Sequence, residues 1–93
     1  MTHVTCAHGG DRYTVRAIGH AEGNPSVCAA VSCLMYTFAG WAANMRPGSG
    51  IVLEPGNASV TVHGECGDVY DAVCIGFAQL ARSFPEQVKI DYE

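Results

Sequence analysis

Apolar and polar residues alternate in several short stretches of the chain, and this alternation predicts strands. Between Arg12 and Ile18, apolar residues at positions 13, 15 and 17 alternate with polar residues on the opposite side, which is typical of a half-buried strand. Shorter stretches predict further strands over 2–7, 51–54, 58–63 and 87–92. Turn residues at 8–11 and 55–57 join the first four strands into two hairpins.

Two longer stretches predict helices. The first runs from Val27 to Met45, with Ser26 as its predicted N-cap and with Arg46 to Gly50 ending it. The second begins at Asp68 as its predicted cap and stops before Pro85. Its apolar residues recur three or four positions apart, which predicts one buried face: Val69, Val73, Gly76/Phe77, Leu80 and Phe84.

The resulting order of elements, β-β-α-β-β-α-β, predicts an α+β fold in one domain over residues 1–93. We expect a small, mostly antiparallel sheet of about five strands that carries the two helices. The first helix lacks charged residues, which raises the question of a membrane span. Because polar or small residues such as Ser32, Gly40 and Asn44 interrupt it and no basic cluster flanks it, we expect no membrane partner. We predict instead a helix that is buried on most sides, between the sheet and a dimer partner.

The chain contains few charges for its size, and this favours self-association. Charged residues make up 15% of the sequence, against about 25% in typical globular domains. So small a body with so few charges predicts that a second copy covers part of its surface, as a homodimer. The aromatic and Met residues at 35, 36, 38 and 41 are predicted to supply core and dimer contacts. The basic residues are scattered singly, so we expect no direct binding of nucleic acid.

The five cysteines form no Cys-x-x-Cys pair, and the N-terminus lacks the pattern of an export signal. We therefore predict reduced thiols in a cytoplasmic protein, with Cys33 and Cys74 as packing residues. A zinc site is an alternative use of other thiols and histidines, but their spacing is not that of common zinc motifs, and we expect no metal: Cys6, His8, His63 and Cys66. No glycine-rich phosphate loop is present, and we expect no cofactor.

The strongest candidate for chemistry is the pair His20 and Cys28. The histidine follows a predicted strand and the cysteine lies just inside the first predicted helix, with a short loop between them. A neighbouring imidazole and the positive end of a helix both favour the reactive thiolate. Ser32 lies one helical turn further along the same helix face. The other reading of Cys28 is a small buried apolar residue, the usual state of a free cysteine.

Two segments around this pair form a motif. The sequence Gly19-His20-Ala21, followed by Val27-Cys28-Ala29-Ala30-Val31-Ser32, resembles the bacterial ribosomal-processing cysteine protease family (Prp, or YsxB-like). The resemblance extends to the opening hairpin, the order of the helices and the closing segment from Ser83 to Ile90. It therefore covers nearly the whole chain.

The resemblance implies a homodimeric cysteine endopeptidase with Cys28 as nucleophile and His20 as base, and with Ser32 at the family's serine position. Five flanking residues are predicted to support the site or bind substrate: Gly19, Ala21, Ser26, Val27 and Ala29. Family members remove an N-terminal extension from a large-subunit ribosomal protein (number twenty-seven), and related phage proteins process structural proteins such as capsid or scaffold proteins. Free N–H groups at the helix start are expected to hold the oxyanion, and the substrate to lie extended beside residues 21–26.

Two departures from the family's pattern keep a second interpretation open. The loop between His20 and Cys28 is shorter than is usual in the family, and Pro25 replaces the acidic residue commonly found three positions before the cysteine. The alternative is a catalytically silent dimeric adaptor of the same fold that binds a peptide or an assembly partner. No nearby residue is an evident partner to orient His20.

Overall fold

The computed structural model describes residues 1–93. Its elements, in chain order, are β1 (Thr2–Gly9), β2 (Arg12–Gly19), α1 (Pro25–Met45), β3 (Gly50–Glu54), β4 (Asn57–His63), α2 (Gly67–Ser83) and β5 (Val88–Tyr92). This confirms the predicted order of strands and helices and the α+β class.

The strands form one sheet in the order β3-β4-β2-β1-β5. Neighbouring strands are antiparallel except for β1 and β5, which run parallel. The sheet is therefore mixed, with one parallel pair. A parallel pair needs a crossover connection, and the chain reaches β5 through α2, which packs against β5 and β2.

One face of the sheet carries both helices and contains the core. Val4, Val15, Val60 and Val62 on the strands are fully buried, as is Phe38 of α1. The alternate strand positions are exposed or half-buried, as the period of two predicts. On the open face the His3 ring of β1 is hydrogen-bonded to the Asp91 carboxylate of β5. The helices also contact each other, so α1, α2 and the sheet enclose a single apolar core.

Both helices begin earlier than predicted. The N-cap of α1 is Asn24, whose side-chain oxygen accepts a hydrogen bond from the Val27 N–H at 3.2 Å, and Pro25 is the first helical residue. The prediction of Ser26 as the cap was wrong, because Asn is an equally good cap and Pro is favoured at the first helical position. Helix α2 starts at Gly67 after Cys66, without a side-chain cap, so the prediction of Asp68 as its cap was also wrong.

The burial of one predicted packing residue also differs from the prediction. Cys74 is buried as expected, but Cys33 is exposed on α1, so it is not a packing residue. Met35 and Phe38 belong to the core as predicted. Tyr36 is 59% exposed, so its predicted dimer contact stays a prediction. The sequence pattern identified the apolar residues, but it did not show which of them other parts of the fold would cover.

By length and composition alone, α1 is able to cross a membrane. In this fold its buried side chains instead lie against the sheet and α2, with Val27, Met35 and Ala42 in the common core. Core helices of globular proteins satisfy the same criterion as membrane spans, because both are rich in apolar residues.

A buried polar cluster joins β1 to α2. The hydrogen bond with the Cys74 thiol, together with burial, raises the pKa of the Cys6 thiol. Burial raises the pKa of the Tyr70 hydroxyl above its ordinary value of 10.0, and it also raises the pKa of Cys66. The hydrogen bond from Cys6 lowers the pKa of Cys74, which offsets part of this effect. On balance the folded state retains protons that the unfolded chain releases in alkaline solution.

We expect the free energy of unfolding to fall as the pH rises above about 9. Unfolded Cys and Tyr ionise at ~8.5 and ~10, whereas Cys6, Cys66 and Tyr70 keep their protons in the folded state, because their pKa values are raised there. Urea denaturation at pH 7.5 and pH 10.5, under reducing conditions, measures this change. Cys6→Ala should weaken the pH dependence, whereas Cys33→Ala, at an exposed site, should leave it intact. Equal urea midpoints at the two pH values would contradict the expectation.

Candidate active site

The loop between β2 and α1 is a tight turn organised by the carbonyl oxygen of Ala21. This oxygen accepts a hydrogen bond from the Asn24 N–H at 3.1 Å and another from the Cys28 thiol at 3.5 Å. Gly23 has a φ of 75° within the turn, a conformation that glycine adopts without strain. The Ala21 carbonyl oxygen therefore holds both the helix-cap residue Asn24 and the Cys28 sulfur.

Cys28 is the fourth residue of α1, so it lies in the first turn of the helix. Its own N–H donates to the Asn24 carbonyl oxygen at 3.2 Å, and the Val27 N–H is taken by the Asn24 side chain. Pro25 has no N–H, so the Ser26 N–H is the one donor of this turn without an acceptor. The partial positive charge of the helix N-terminus still acts on the half-buried sulfur.

His20 and Cys28 line the same cavity, which has a volume of about 190 Å³. It lies between the first half of α1, the ends of β1 and β2, and the hairpin of β3 and β4. Its lining consists of Thr2, Ala17, Gly19, His20, Cys28, Val31, Ser32, Met35, Tyr36, Leu53, Glu54, Pro55, Gly56, Asn57 and Ala58. Small residues from β2 and β4, Ala17 and Ala58, leave the space that the cavity occupies.

The two candidate catalytic side chains are not hydrogen-bonded to each other. The Cys28 thiol donates to the Ala21 carbonyl, and neither ring nitrogen of His20 has a hydrogen-bond partner in the chain. The Nε2 edge of the His20 ring instead faces Gly56. Catalytic hydrogen bonds are often long or unformed without substrate, so this arrangement is compatible with a pair that closes on binding.

The structure explains why the first residue of the motif, Gly19, is a glycine. Its φ is 92°, and a Cβ added there would collide with the backbone oxygen of Met1. Its N–H donates to the Gly56 carbonyl oxygen at 2.9 Å. Gly19 therefore lets β2 end between the N-terminus and the hairpin tip, and this close packing fixes where His20 leaves the sheet.

The other predicted site residues fall into two groups. Ser32 lines the cavity with Cys28, and Ala21 holds the thiol through its carbonyl oxygen. Three residues are not part of the cavity lining: Ser26 and Ala29 are exposed, and Val27 is in the core. Of the acidic and polar loop residues, Asn24 caps α1 and neither it nor Glu22 hydrogen-bonds to His20.

The segment from Leu53 to Ala58 is the part of the cavity that sequence reasoning missed. It lies about thirty residues from the motif, and the register of β2 with β4, in which Ile18 is opposite Asn57, brings it beside His20. The hairpin itself was predicted from its Pro-Gly-Asn turn. No signal in the sequence indicated which strand it would pair with.

The residues considered for a zinc site have other surroundings. No three His, Cys, Asp or Glu side chains are grouped closely enough to hold a metal ion. The His8 ring stacks on Tyr13 with centroids 4.1 Å apart. Cys6 contacts Cys74, and Cys66 precedes α2 at the other end of the sheet from the candidate pair.

Comparison with known proteins gives structural matches only. No protein-family model matches the chain, and no curated protein sequence matches it significantly. Two crystal structures of the essential ribosomal processing protease Prp from S. aureus match over the full length of both chains. The complex with a covalently linked product peptide has a TM-score of 0.80 at 15% identity. The complex with a substrate peptide has a TM-score of 0.76 at 12% identity.

A third solved structure, SMU.848 from Streptococcus mutans, matches with a TM-score of 0.72 and 21% identity, covering 99% of this chain and 93% of that one. The matches show that the chain has the fold of the Prp protease, from β1 through β5. The fold expected from the sequence motif is thereby confirmed.

Proposed function

We propose that this chain, which has the fold of the Prp protease, is a cysteine endopeptidase that uses Cys28 and His20. The observation that supports this most directly is that the motif's cysteine and histidine line one cavity, next to the first turn of α1. The matched protease has been crystallised with a substrate peptide and with a covalently linked product peptide. A cavity that holds a thiol and an imidazole provides the groups needed for covalent peptide hydrolysis.

In the proposed reaction, the Cys28 sulfur attacks the carbonyl carbon of the scissile bond while His20 accepts the thiol proton. The tetrahedral intermediate collapses when His20 transfers this proton to the leaving nitrogen, which releases the amine product and leaves a thioester on Cys28. Water, activated by His20, then attacks the thioester and releases the second product with the thiol restored. Before the first step the thiol must exchange its hydrogen bond with Ala21 for one with His20.

The oxyanion of the intermediate needs a donor on the cavity side of Cys28. The helix-start amides expected for this role are mostly occupied, and the free N–H of Ser26 lies outside the cavity lining. The Ser32 hydroxyl lines the cavity and has no partner within the chain. We therefore assign the oxyanion contact to Ser32, with the Cys28 N–H available if the Asn24 bond at 3.2 Å opens.

The proposed substrate is a protein segment that binds in extended form beside residues 21–26. Its proposed source is the N-terminal extension of large-subunit ribosomal protein number twenty-seven, in keeping with the ribosomal processing function of the matched Prp. A phage structural protein is the alternative source. The hairpin tip at Pro55 and Gly56 lines the cavity, and the turn that begins at Ala21 contacts the Cys28 sulfur. We expect both to contact the peptide.

Purified protein incubated with synthetic peptides that span each candidate cleavage region provides the test. We expect mass spectrometry to find two product peptides from at least one substrate, together with a transient acyl adduct on Cys28. Cleavage that persists after complete alkylation of Cys28 would contradict the proposal.

A non-catalytic adaptor is the second candidate, and one observation favours it. The thiol in this structure is bonded to a backbone carbonyl rather than to His20, and a binding module has no need of a coupled pair. An adaptor would bind the candidate peptides without cleaving them and without an adduct on Cys28.

We further propose a cytoplasmic homodimer that associates through the exposed face of α1. This helix has no charged residue from Pro25 to Met45, and Cys33, Gly40 and Ala43 on its outer side are small, which permits close approach of a second helix. All five cysteines are free thiols, as a reducing compartment would keep them.

Gly40→Arg should convert the dimer to a monomer, because a long charged side chain would be buried without a partner in the interface. A Cβ at Gly40 meets nothing within 4 Å, so the substitution leaves the folded monomer undisturbed. Sedimentation velocity measures the mass, with Ala72→Arg on the exposed side of α2 as control. A Gly40→Arg protein with the wild-type mass would contradict the proposed interface.

A further inference from the structure

We infer that Gly56, at the tip of the β3–β4 hairpin, is the positioning residue for the His20 imidazole. The inference rests on the proposed cysteine–histidine chemistry. No side chain performs this role in the structure, because neither nitrogen of His20 is hydrogen-bonded and Asn24 is used as the helix cap. The ring is oriented instead by contact with the hairpin backbone.

The ring edge that contains Nε2 occupies the space in which a Cβ at Gly56 would lie. A Cβ added to Gly56 would lie 2.6 Å from Nε2, 3.2 Å from Cδ2 and 3.3 Å from Cε1 of His20. Any residue other than glycine would therefore displace the imidazole. By contrast, Gly10, Gly23 and Gly48 also have positive φ, but a Cβ at these positions meets nothing within 4 Å. The turn conformation alone explains those glycines. At Gly56 a side chain is also excluded because the His20 ring occupies the space.

The hairpin tip is also fixed to the backbone beside His20. The Gly19 N–H donates to the Gly56 carbonyl oxygen at 2.9 Å, and β2 pairs with β4 up to Ile18 and Asn57. The tip and the start of the His20 side chain consequently move together. Displacement of a reacting group by about 1 Å can reduce catalysis by ~10²-fold, so a contact that defines the ring position controls its approach to Cys28.

The test compares Gly56→Ala with Gly10→Ala. Both replace a glycine in a hairpin turn with a left-handed backbone, with φ of 71° at Gly56 and 61° at Gly10, so a side chain is disfavoured by the backbone at both positions. Only the substitution at Gly56 meets His20. The readouts are the pH profile of iodoacetamide alkylation at Cys28, followed by mass spectrometry, and the NMR titration of the His20 Cε1–H signal.

We expect Gly56→Ala to shift the His20 titration and to slow Cys28 alkylation at pH 6.5 by about tenfold or more, towards the rate of His20→Ala. Gly10→Ala should match the wild type in both. A Gly56→Ala protein with the wild-type His20 titration and alkylation profile would overturn the inference.

Two further controls separate possible failures. If Gly56→Ala does not fold, Gly56→Asn is used with Gly10→Asn, because Asn tolerates positive φ yet still adds a Cβ next to the ring. If His20→Ala itself alkylates like the wild type, the proposed catalytic pair is wrong, while the NMR titration still decides whether Gly56 positions the ring. Cleavage assays are not needed for either result.

Discussion

Cys28→Ser is expected to lower kcat/KM for peptide cleavage by about 10⁴-fold or more, because it removes the sulfur that we propose forms the acyl intermediate. Serine is similar in size to cysteine, so the half-buried site next to the Ala21 carbonyl stays filled. The fold and the peptide affinity should therefore survive. The measurement is the initial rate of product formation by mass spectrometry, together with the peptide dissociation constant.

The matched control is Cys33→Ser on the same helix. Cys33 lies outside the cavity, on the outer face of α1 that we propose as the dimer interface. Serine keeps a small side chain there, so its replacement should leave the dimer intact and kcat/KM within about twofold of the wild type. Equal activity of Cys28→Ser and wild type would rule out a covalent mechanism at this residue. Unchanged binding with no cleavage in either protein would support the adaptor alternative.

His20→Ala is expected to lower kcat/KM by about 10²- to 10⁴-fold and to move the activity towards higher pH. Without the imidazole, thiolate formation at Cys28 depends on the solution pH and on the helix dipole alone. The leaving amine also loses its proton donor. Rates measured from pH 5.5 to 9.5 should show a steep rise in the variant where the wild type has a plateau.

His63→Ala is the control for removal of an imidazole. His63 is exposed at the end of β4, opposite Arg12 and outside the cavity, so its loss should leave the profile unchanged. If His20→Ala has the same pH profile as His63→Ala, His20 is not the base. The direction of the shift is as important as the size of the loss, since a merely structural effect lowers the rate at every pH.

The strand and helix positions followed largely from residue patterns. The period of two in β2 and β4 predicted which side chains are buried, and Val15, Val60 and Val62 are fully buried as expected. The ends of the helices were less predictable, because Asn24, Pro25 and Ser26 are all acceptable at a helix start. The turn closed by the hydrogen bond from the Asn24 N–H to the Ala21 carbonyl oxygen places Asn24 at the cap position.

Only the part of the candidate site formed by β2, the following loop and α1 was predicted from the sequence. His20 and Cys28 are eight residues apart across a turn, and Ser32 is one helical turn further. This spacing was enough to predict that the three side chains lie near one another, and they line one cavity. Gly56 and the other hairpin residues were not predicted, since local patterns contain no information on pairing between distant strands. The contact between Gly56 and His20 answers the question that the sequence left open, namely what orients the ring.

The sequence by itself determined the order of elements, the α+β class and the position of the candidate His–Cys motif, because all three depend on neighbouring residues and on short-range periodicity. The tertiary structure alone decided the strand order, the parallel pairing of β1 with β5 and the closure of the cavity by the β3–β4 hairpin. These features depend on which apolar surfaces bury one another, a property of the whole chain rather than of any segment.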